Sequence, residues 1–199
     1  HRDEGIDQLA RVELRDVGVD THLLPHLAVG HRRQRRMHHH RHAGEARVAA
    51  AKLLTQARIK DDDAVWRLIA SWVPEFDAWA IADHVCDAGG RRLLADPSRI
   101  DEVEGWTTSE SLWARRAALV ITLPWTKQNF PKPQDLAIRD RVLGWAAGYA
   151  DDPEWFIQKA IAWWLRDLSK HDPERARDFL ASHGTRLKAF ARKEAAKYL

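Results

Sequence analysis

Two residues with complementary chemistry, Trp79 and Asp83, lie four positions apart in a segment whose apolar residues recur at helical spacing. Residues four apart share one face of an α-helix, so the indole and the carboxylate would be neighbours. A carboxylate beside an aromatic ring suits a cationic ligand, because both groups attract positive charge. The structural alternative is that Trp79 packs against a neighbouring element and that Asp83 pairs with a basic residue at the surface.

A second tryptophan, Trp163, lies beside the apolar stripe of its predicted helix, with Lys159 and Arg166 one turn before and after it. An aromatic ring between two cations suits a ligand that combines flat rings with negative charge, which describes a nucleic acid. Because most helical tryptophans belong to a core, burial of Trp163 is the alternative. The predicted core stripe of this helix comprises Ile157, Ile161, Trp164, Leu165 and Leu168.

Basic residues occur at two further places. Arg115 lies on a small and polar helix face, whereas Arg116 falls among leucines. A guanidinium on an apolar stripe needs a partner, since an unpaired buried charge is costly; that partner would be a carboxylate such as Asp83 or a phosphate. The last 16 residues, which include Arg192 and Lys193, carry one acid among five cations. Such a face is either simply solvated or contacts phosphates.

The elements that must position these side chains are predicted to be helices. From residue 44 onward the apolar residues follow a helical period, and no segment shows a convincing strand pattern. We expect Gly89 and Gly90 to end one helix, Thr108 or Ser109 to cap another, and Pro124 to end that second helix. The predicted helices span 46–59, 61–72, 76–88, 97–103, 112–123, 135–149, 153–170, 173–183 and 185–198.

Consecutive helices with short polar links predict an all-α fold in which antiparallel helix pairs stack as a HEAT-like α-solenoid. Such a fold buries a shared core between neighbouring pairs and presents a concave face. A compact helical bundle is the competing architecture.

Residues 1–43 differ sharply from the rest of the chain. No Phe, Tyr or Trp precedes Trp66, whereas eight of the 11 histidines and eight arginines lie within residues 1–42. Such a segment has little to bury against its ordering entropy. We therefore expect 1–43 to be disordered or not native, and 44–199 to be a helical-repeat domain that is incomplete at its N-terminus. The tract His38–His40 could bind a metal, with a solvated basic tail as the alternative.

Composition excludes several classes of protein. No run approaches 18 consecutive apolar residues and no signal pattern is present, so we expect neither a membrane-spanning helix nor secretion. The single cysteine, Cys86, excludes an intrachain disulfide framework and a multi-cysteine zinc site. We expect a cytoplasmic protein in which Cys86 is a small buried hydrophobe. The net charge is +3 and the isoelectric point about 9.2, which permits an anionic partner.

Four segments carry a family resemblance. They read WAIAD at 79–83, SLWARRAA at 111–118, FIQKAIAWWLR at 156–166 and ARKEAAK at 191–197. In this order they resemble the AlkD-type DNA alkylation-repair family, and the third motif is the most specific. The resemblance covers about 44–199. Ala80 departs from it, since many relatives carry an acid there, and 1–43 does not resemble the additional N-terminal helices of the relatives.

The resemblance implies a HEAT-like solenoid whose basic concave face holds duplex DNA. It further implies hydrolysis of the N-glycosidic bond of cationic alkylated purines, chiefly 3-methyladenine and 7-methylguanine. The active-site positions of the family fall on Trp79, Asp83 and Trp163, and its phosphate-binding arginine falls on Arg116. No metal or organic cofactor is implied, and we expect a monomer that acts on double-stranded DNA with alkylated bases. The further residues expected to contact DNA are Arg115, Lys159, Arg166, Arg192 and Lys193.

The alternative function is a non-catalytic helical-repeat scaffold that binds DNA or protein, because a fold does not dictate a function. A scaffold has no need for Trp79, Asp83 and Trp163 on one concave face, and that trio therefore favours an enzyme. An RNA-binding repeat protein would show polar residues recurring from repeat to repeat, and we find no such recurrence.

Overall fold

The structure is a computed structural model that describes residues 47–56, 59 and 62–199. The described residues form helices and no β-strand, which confirms the all-α class expected of a helical-repeat solenoid. They belong to two compact units, divided between Arg92 and Leu93. The predicted segment 1–43 lies outside the described residues. Within the described part, no helix is long and apolar enough to cross a membrane.

The first unit contains a helical stretch at 47–54, helix α1 (Asp62–Trp72), the 3₁₀ turn Val73–Glu75 and helix α2 (Trp79–Ala95), which continues past the unit boundary. The second unit contains the remaining helices. They are α3 (Ile100–Trp106), α4 (Leu112–Val120), α5 (Leu123–Thr126), α6 (Pro133–Gly148), α7 (Trp155–Leu168), α8 (Pro173–His183) and α9 (Ala189–Ala195), with 3₁₀ turns at Pro97–Arg99 and Gly184–Arg186.

Helix α2 does not end where its glycines predicted. It continues through Gly89 and Gly90 to Ala95, although each helical glycine costs about 1 kcal/mol relative to alanine. The compensation comes from tertiary contacts of the next turn. The buried guanidinium of Arg92 donates to the backbone carbonyl of Leu54 at 3.1 Å and to the carboxylate of Asp62 at 3.0 Å. These bonds require helical backbone beyond the glycine pair.

The ends of helix α4 also differ from the prediction. Ser111 is the N-cap, and its hydroxyl accepts a hydrogen bond from the backbone N–H of Ala114. The hydroxyl of Ser109 instead accepts from the backbone N–H of Ser111, at 3.1 Å. Pro124 does not end α4 but lies in the first turn of α5, where a residue without an N–H donor costs no hydrogen bond.

The other predicted helices are present, and most are shorter than expected. Helix α8 has the predicted bounds. Helix α7 begins at Trp155, so Pro153 precedes the helix and is not part of its first turn. The predicted helix 185–198 is split, because the 3₁₀ turn comes before α9.

Helix α7 is the centre of the second unit, since it packs against α4, α5, α8 and α9. Its predicted core stripe is confirmed, because each of the five side chains in that stripe is at most 1% exposed. Burial of such side chains contributes roughly 1.5–3 kcal/mol each. The members of the stripe are Ile157, Ile161, Trp164, Leu165 and Leu168.

One buried polar side chain on α7, Gln158, forms hydrogen bonds to the backbone before and after this helix. Its Nε2 donates to the backbone carbonyls of Ala150 at 2.9 Å and Asp152 at 3.1 Å. Its Oε1 accepts from the backbone N–H of Lys188 at 3.0 Å. The carboxamide is fully buried, so it satisfies backbone groups at both the link after α6 and the start of α9.

A buried arginine has the same role in α6. The Arg139 guanidinium is 1% exposed and donates to the carbonyls of Trp125 at 2.9 Å and Gln128 at 2.7 Å. It also donates to the carboxylate of Asp172, the N-cap of α8, at 3.2 Å. Burial lowers the pKa of Arg139, and the Asp172 carboxylate opposes that shift.

The Gln158 contacts generate a stability prediction. Gln158→Leu keeps a similar volume but leaves two carbonyls and one N–H without their partner, which should lower the free energy of unfolding by about 3 kcal/mol. Urea unfolding followed by circular dichroism measures this loss. Gln134→Leu, at an exposed position of α6, is the matched control and should change stability by less than about 0.5 kcal/mol. Equal urea midpoints of unfolding for the two variants would contradict a stabilising role of the Gln158 hydrogen bonds.

A second prediction concerns the phenol of Tyr149, which donates to the backbone carbonyl of Thr107 at 2.6 Å. Burial raises the pKa of Tyr149 to about 12. The folded state therefore favours the neutral phenol. The resulting contribution to the stability of the fold is complete below the ordinary pKa of about 10 and is lost as the pH rises through about 12. Ultraviolet titration should show a phenolate step near 12 that Tyr149→Phe removes. Survival of that step in the variant would disprove its assignment.

Candidate nucleic-acid interface

Trp79 and Asp83 lie on the side of α2 that faces away from its core positions. Trp79 is the first residue of the helix, and 54% of it is exposed. Asp83, one turn later, is half-buried. On the buried side of the helix, Ile81 and Val85 are at most 4% exposed. More than half of Trp79 is therefore open to solvent, and a shared ligand-binding role of Trp79 and Asp83 stays a prediction.

Trp163 is half-buried on α7, beside the core stripe and not within it. Its indole Nε1 donates to Oδ2 of Asp167 at 3.1 Å. Lys159 and Arg166 lie on the same helix face one turn before and after the ring, as the sequence predicts. Lys159 is exposed and, within the described part of the chain, forms no ion pair.

Arg166 differs from Lys159 because two carboxylates hold its guanidinium. Nε and Nη2 donate to Oδ1 of Asp167, each at 3.2 Å, and Nη1 donates to Oε1 of Glu194 at 2.5 Å. The hydrogen bond from Arg166 lowers the pKa of Glu194. Burial alone would lower the pKa of Arg166, but the bonds to Glu194 and Asp167 raise it overall. Much of the positive charge of Arg166 is therefore compensated inside the protein.

An exposed aromatic pair, Trp155 and Phe190, was missed by the sequence analysis. Trp155 is 46% exposed and Phe190 36%, and their ring centroids are 5.8 Å apart. The Lys159 ammonium lies 4.5 Å from the centroid of the Trp155 ring. The available signal was spacing: Trp155 precedes Lys159 by four residues and Trp163 by eight, which places all three on one face of α7.

Arg116 is 4% exposed, and one of its partners is the backbone carbonyl of Phe156, to which Nη1 donates at 2.9 Å. Its guanidinium carbon also lies 5.7 Å from the centroid of the Phe156 ring. This contact ties α4 to the first turn of α7. A carboxylate or a phosphate as a further partner of Arg116 stays a prediction.

Arg115 also has protein partners. Its Nη1 donates to the carbonyls of Ser109 and Glu110, each at 3.0 Å, and its Nη2 lies 3.6 Å from the carboxylate of Asp152. These contacts hold the link that precedes α4, and the expected DNA contact of Arg115 stays a prediction. On α9, the side chains of Arg192 and Lys193 are exposed, as a phosphate-contacting role requires.

Two predicted features of metal and thiol chemistry have different outcomes. Cys86 is buried, which confirms its expected role as a small hydrophobe. The tract His38–His40 lies outside the described residues. Among those that are described, no three His, Cys, Asp or Glu side chains cluster closely enough to hold a metal ion.

The predicted catalytic trio is distributed over both units. Trp79 and Asp83 belong to the first unit, and Trp163 and Arg116 belong to the second. Each unit brings together its own part: an exposed indole beside a carboxylate in the first, and a half-buried indole among cations in the second. Convergence of the three residues on one concave face stays a prediction.

Comparison with known proteins identifies the class to which these features belong. The sequence profile of a family described as "DNA alkylation repair enzyme" matches residues 37–199. The chain belongs to this family, and the family indicates an enzyme whose partner is DNA.

Solved structures share the fold. A protein described as a predicted DNA alkylation repair enzyme from Enterococcus faecalis has a TM-score of 0.62 and 23% identity, over 80% of this chain and 69% of that one. The protein smu.31 from Streptococcus mutans UA159 has a TM-score of 0.58 and 17% identity, over 100% of this chain and 94% of that one. At these identities the likeness shows the fold alone. Among curated protein sequences, no significant match was found.

Proposed function

We propose that the protein is a DNA glycosylase that hydrolyses the N-glycosidic bond of cationic alkylated purines in duplex DNA, with 3-methyladenine and 7-methylguanine as substrates. The observation that carries this proposal is the placement of Trp79. An indole that is 54% exposed, one helical turn before a carboxylate, is costly to leave in water and is suited to a cationic ligand. Membership of a DNA alkylation repair family provides the context.

The reaction needs little from the protein because the substrate is already charged. When the bond between C1′ and the base breaks, the base takes the electron pair and the sugar develops oxocarbenium character, as in glycoside hydrolysis. A purine alkylated at N3 or N7 carries a positive charge, so it leaves as a neutral base without a general acid. Water then adds to C1′ and loses a proton. One carboxylate therefore suffices, and no metal or organic cofactor is needed.

Asp83 is the proposed carboxylate. Its negative charge would stabilise the cationic sugar in the transition state and orient the attacking water. Trp79 and Trp163 would offer their ring faces to the deoxyribose, whose C–H groups and developing charge favour contact with a π system. This arrangement requires the two tryptophans and Asp83 to converge, and that convergence is part of the proposal.

The face of α7 and α9 is the proposed surface for the DNA backbone. Lys159, Arg192 and Lys193 are exposed, so their charges are available to phosphates. The exposed pair Trp155 and Phe190 adds an aromatic surface beside Lys159, which suits sugars and bases. The proposed contacts of Arg115, Arg116 and Arg166 are constrained, because protein acceptors already occupy some of the five N–H donors of each guanidinium.

Asp83→Asn separates an enzyme from a scaffold. The substitution keeps the size of the side chain but removes its charge, which acts mainly in the transition state. Release of 7-methylguanine from duplex DNA under single-turnover conditions should slow by roughly 10²–10³-fold. DNA affinity, measured in parallel by fluorescence anisotropy, should stay the same or rise slightly, since a carboxylate near phosphates is repelled in the ground state.

The control is Asp87→Asn, which makes the same change one turn later, at an exposed position of α2. It should leave base release unchanged. Equal release rates for wild type and Asp83→Asn would remove Asp83 from the mechanism. DNA binding without any base release by the wild-type protein would favour the scaffold.

The different partners of Lys159 and Arg166 generate a prediction about salt dependence. Lys159→Gln should reduce the slope of log K for DNA binding against log salt by about 0.9, the effect of one lost phosphate contact. Arg166→Gln should reduce it less, because Asp167 and Glu194 already compensate the Arg166 charge. Affinity measured over a range of salt concentrations gives both slopes. An equal reduction by both variants would show that DNA displaces the Arg166 carboxylates; a change in sequence preference with an intact slope would mean that Lys159 contacts bases.

A further inference from the structure

The orientation of Trp163 is fixed by a carboxylate that the proposed reaction does not use. Asp167 lies one helical turn after Trp163, and its Oδ2 accepts the indole N–H at 3.1 Å. Asp167 is 8% exposed, so this acceptor has little water to compete with the indole. A tryptophan ring has only two side-chain torsions, and a hydrogen bond from its N–H restrains both of them.

The two oxygens of Asp167 have separate tasks. Oδ1 receives both Nε and Nη2 of Arg166, each at 3.2 Å, while Oδ2 is left for the indole. A buried carboxylate is costly unless it is paired and hydrogen-bonded, and Arg166 meets that requirement. The third contact of the arginine, from Nη1 to Oε1 of Glu194 at 2.5 Å, extends the chain of bonds to helix α9. A continuous chain of hydrogen bonds, called the relay below, thus runs from α9 to the Trp163 ring. Its members are Glu194, Arg166, Asp167 and Trp163.

The neighbouring tryptophan has a different kind of partner. Trp164 is 1% exposed, and its indole N–H donates to the hydroxyl of Thr122 at 3.1 Å, a neutral and buried partner. Trp163 is half-buried and has a charged partner instead. Its ring therefore keeps an accessible part while its orientation is fixed, which is the arrangement expected of a ring that must meet a ligand in one pose.

We propose that Asp167 is a positioning residue for Trp163, and that Arg166, itself bound by Glu194 of helix α9, holds Asp167 in place. The inference rests on the proposed function, in which the Trp163 ring contacts the deoxyribose. Asp167 acts through the indole and does not itself touch the substrate. Arg166 is then chiefly a member of the relay and only secondarily a phosphate contact.

The first test observes the ring directly and needs no activity. In a spectrum of the protein labelled with ¹⁵N at the tryptophan indoles, Trp163→Phe identifies the Trp163 N–H signal by its loss. Asp167→Ala should move this signal and speed its exchange with water, since the acceptor is gone. Asp167→Asn, which retains an acceptor oxygen, should move it less. Glu194→Gln should shift the same signal and leave that of Trp164 in place.

The second test asks whether the orientation matters for the reaction. Single-turnover base release by Asp167→Ala should slow by about tenfold, the rate equivalent of one charge-assisted hydrogen bond, while DNA affinity is retained. Asp167→Asn should recover most of the rate. In the Trp163→Phe background, which has no indole N–H, Asp167→Ala should cost much less than in the wild type. The matched control is Asp151→Asn, which removes the ion pair between Asp151 and Arg186 without touching the relay.

Several results would overturn the inference. An unchanged Trp163 signal in Asp167→Ala would show that the carboxylate does not hold the ring. If Asp167→Ala moves the Trp163 signal but releases base as fast as the Asp151→Asn control, Asp167 has only a structural role. The same conclusion follows if Asp167→Ala slows base release equally in the wild-type and Trp163→Phe backgrounds. If the wild-type protein binds DNA and releases no base, the glycosylase proposal fails, while the indole spectra still decide whether Asp167 holds the ring. Circular dichroism of each variant checks its fold, and Asp167→Asn replaces Asp167→Ala if the latter unfolds.

Discussion

The second unit depends on the burial of one face of helix α7. Its apolar stripe is almost completely removed from solvent between α4, α5, α8 and α9. Outside this stripe, another face of the same helix carries Trp155, Lys159 and Trp163. Because a helix fixes both faces at once, the packing of the core determines the direction in which these three side chains point.

Arginine and lysine serve different purposes in this chain. Arg92, Arg116 and Arg139 are buried and donate to backbone carbonyls, where the planar fork of a guanidinium can join several segments at once. Lys159 and Lys193 are exposed, and their charges remain available to an anionic partner. The net charge of +3 is thus a poor guide to the interface, because much of the arginine charge is spent on internal structure.

The sequence predicted what local periodicity determines and failed where tertiary contacts decide. The α7 stripe followed from the spacing of apolar residues, and the start of α8 from a proline suited to the first turn of a helix. The continuation of α2 through Gly89 and Gly90 depends on bonds from Arg92 to a segment more than 30 residues earlier, which no local pattern contains. The same distinction applies to the candidate site. The exposure of Trp79 agrees with its helical register, whereas the pairing of Trp155 with Phe190 depends on contact between two helices and is not predicted by local spacing.

The buried carboxamide of Gln158 has a consequence for the order in which the protein is made. Its oxygen accepts from the backbone N–H of Lys188, which lies 30 residues later in the chain. During synthesis α7 therefore leaves the ribosome before the segment that satisfies this buried oxygen, and before Glu194 can reach Arg166. The docking of α9 against α7 therefore comes after α7 has been made, and it supplies the partner of this buried oxygen. A nascent chain stalled before that point has its core helix but not yet the complete candidate interface.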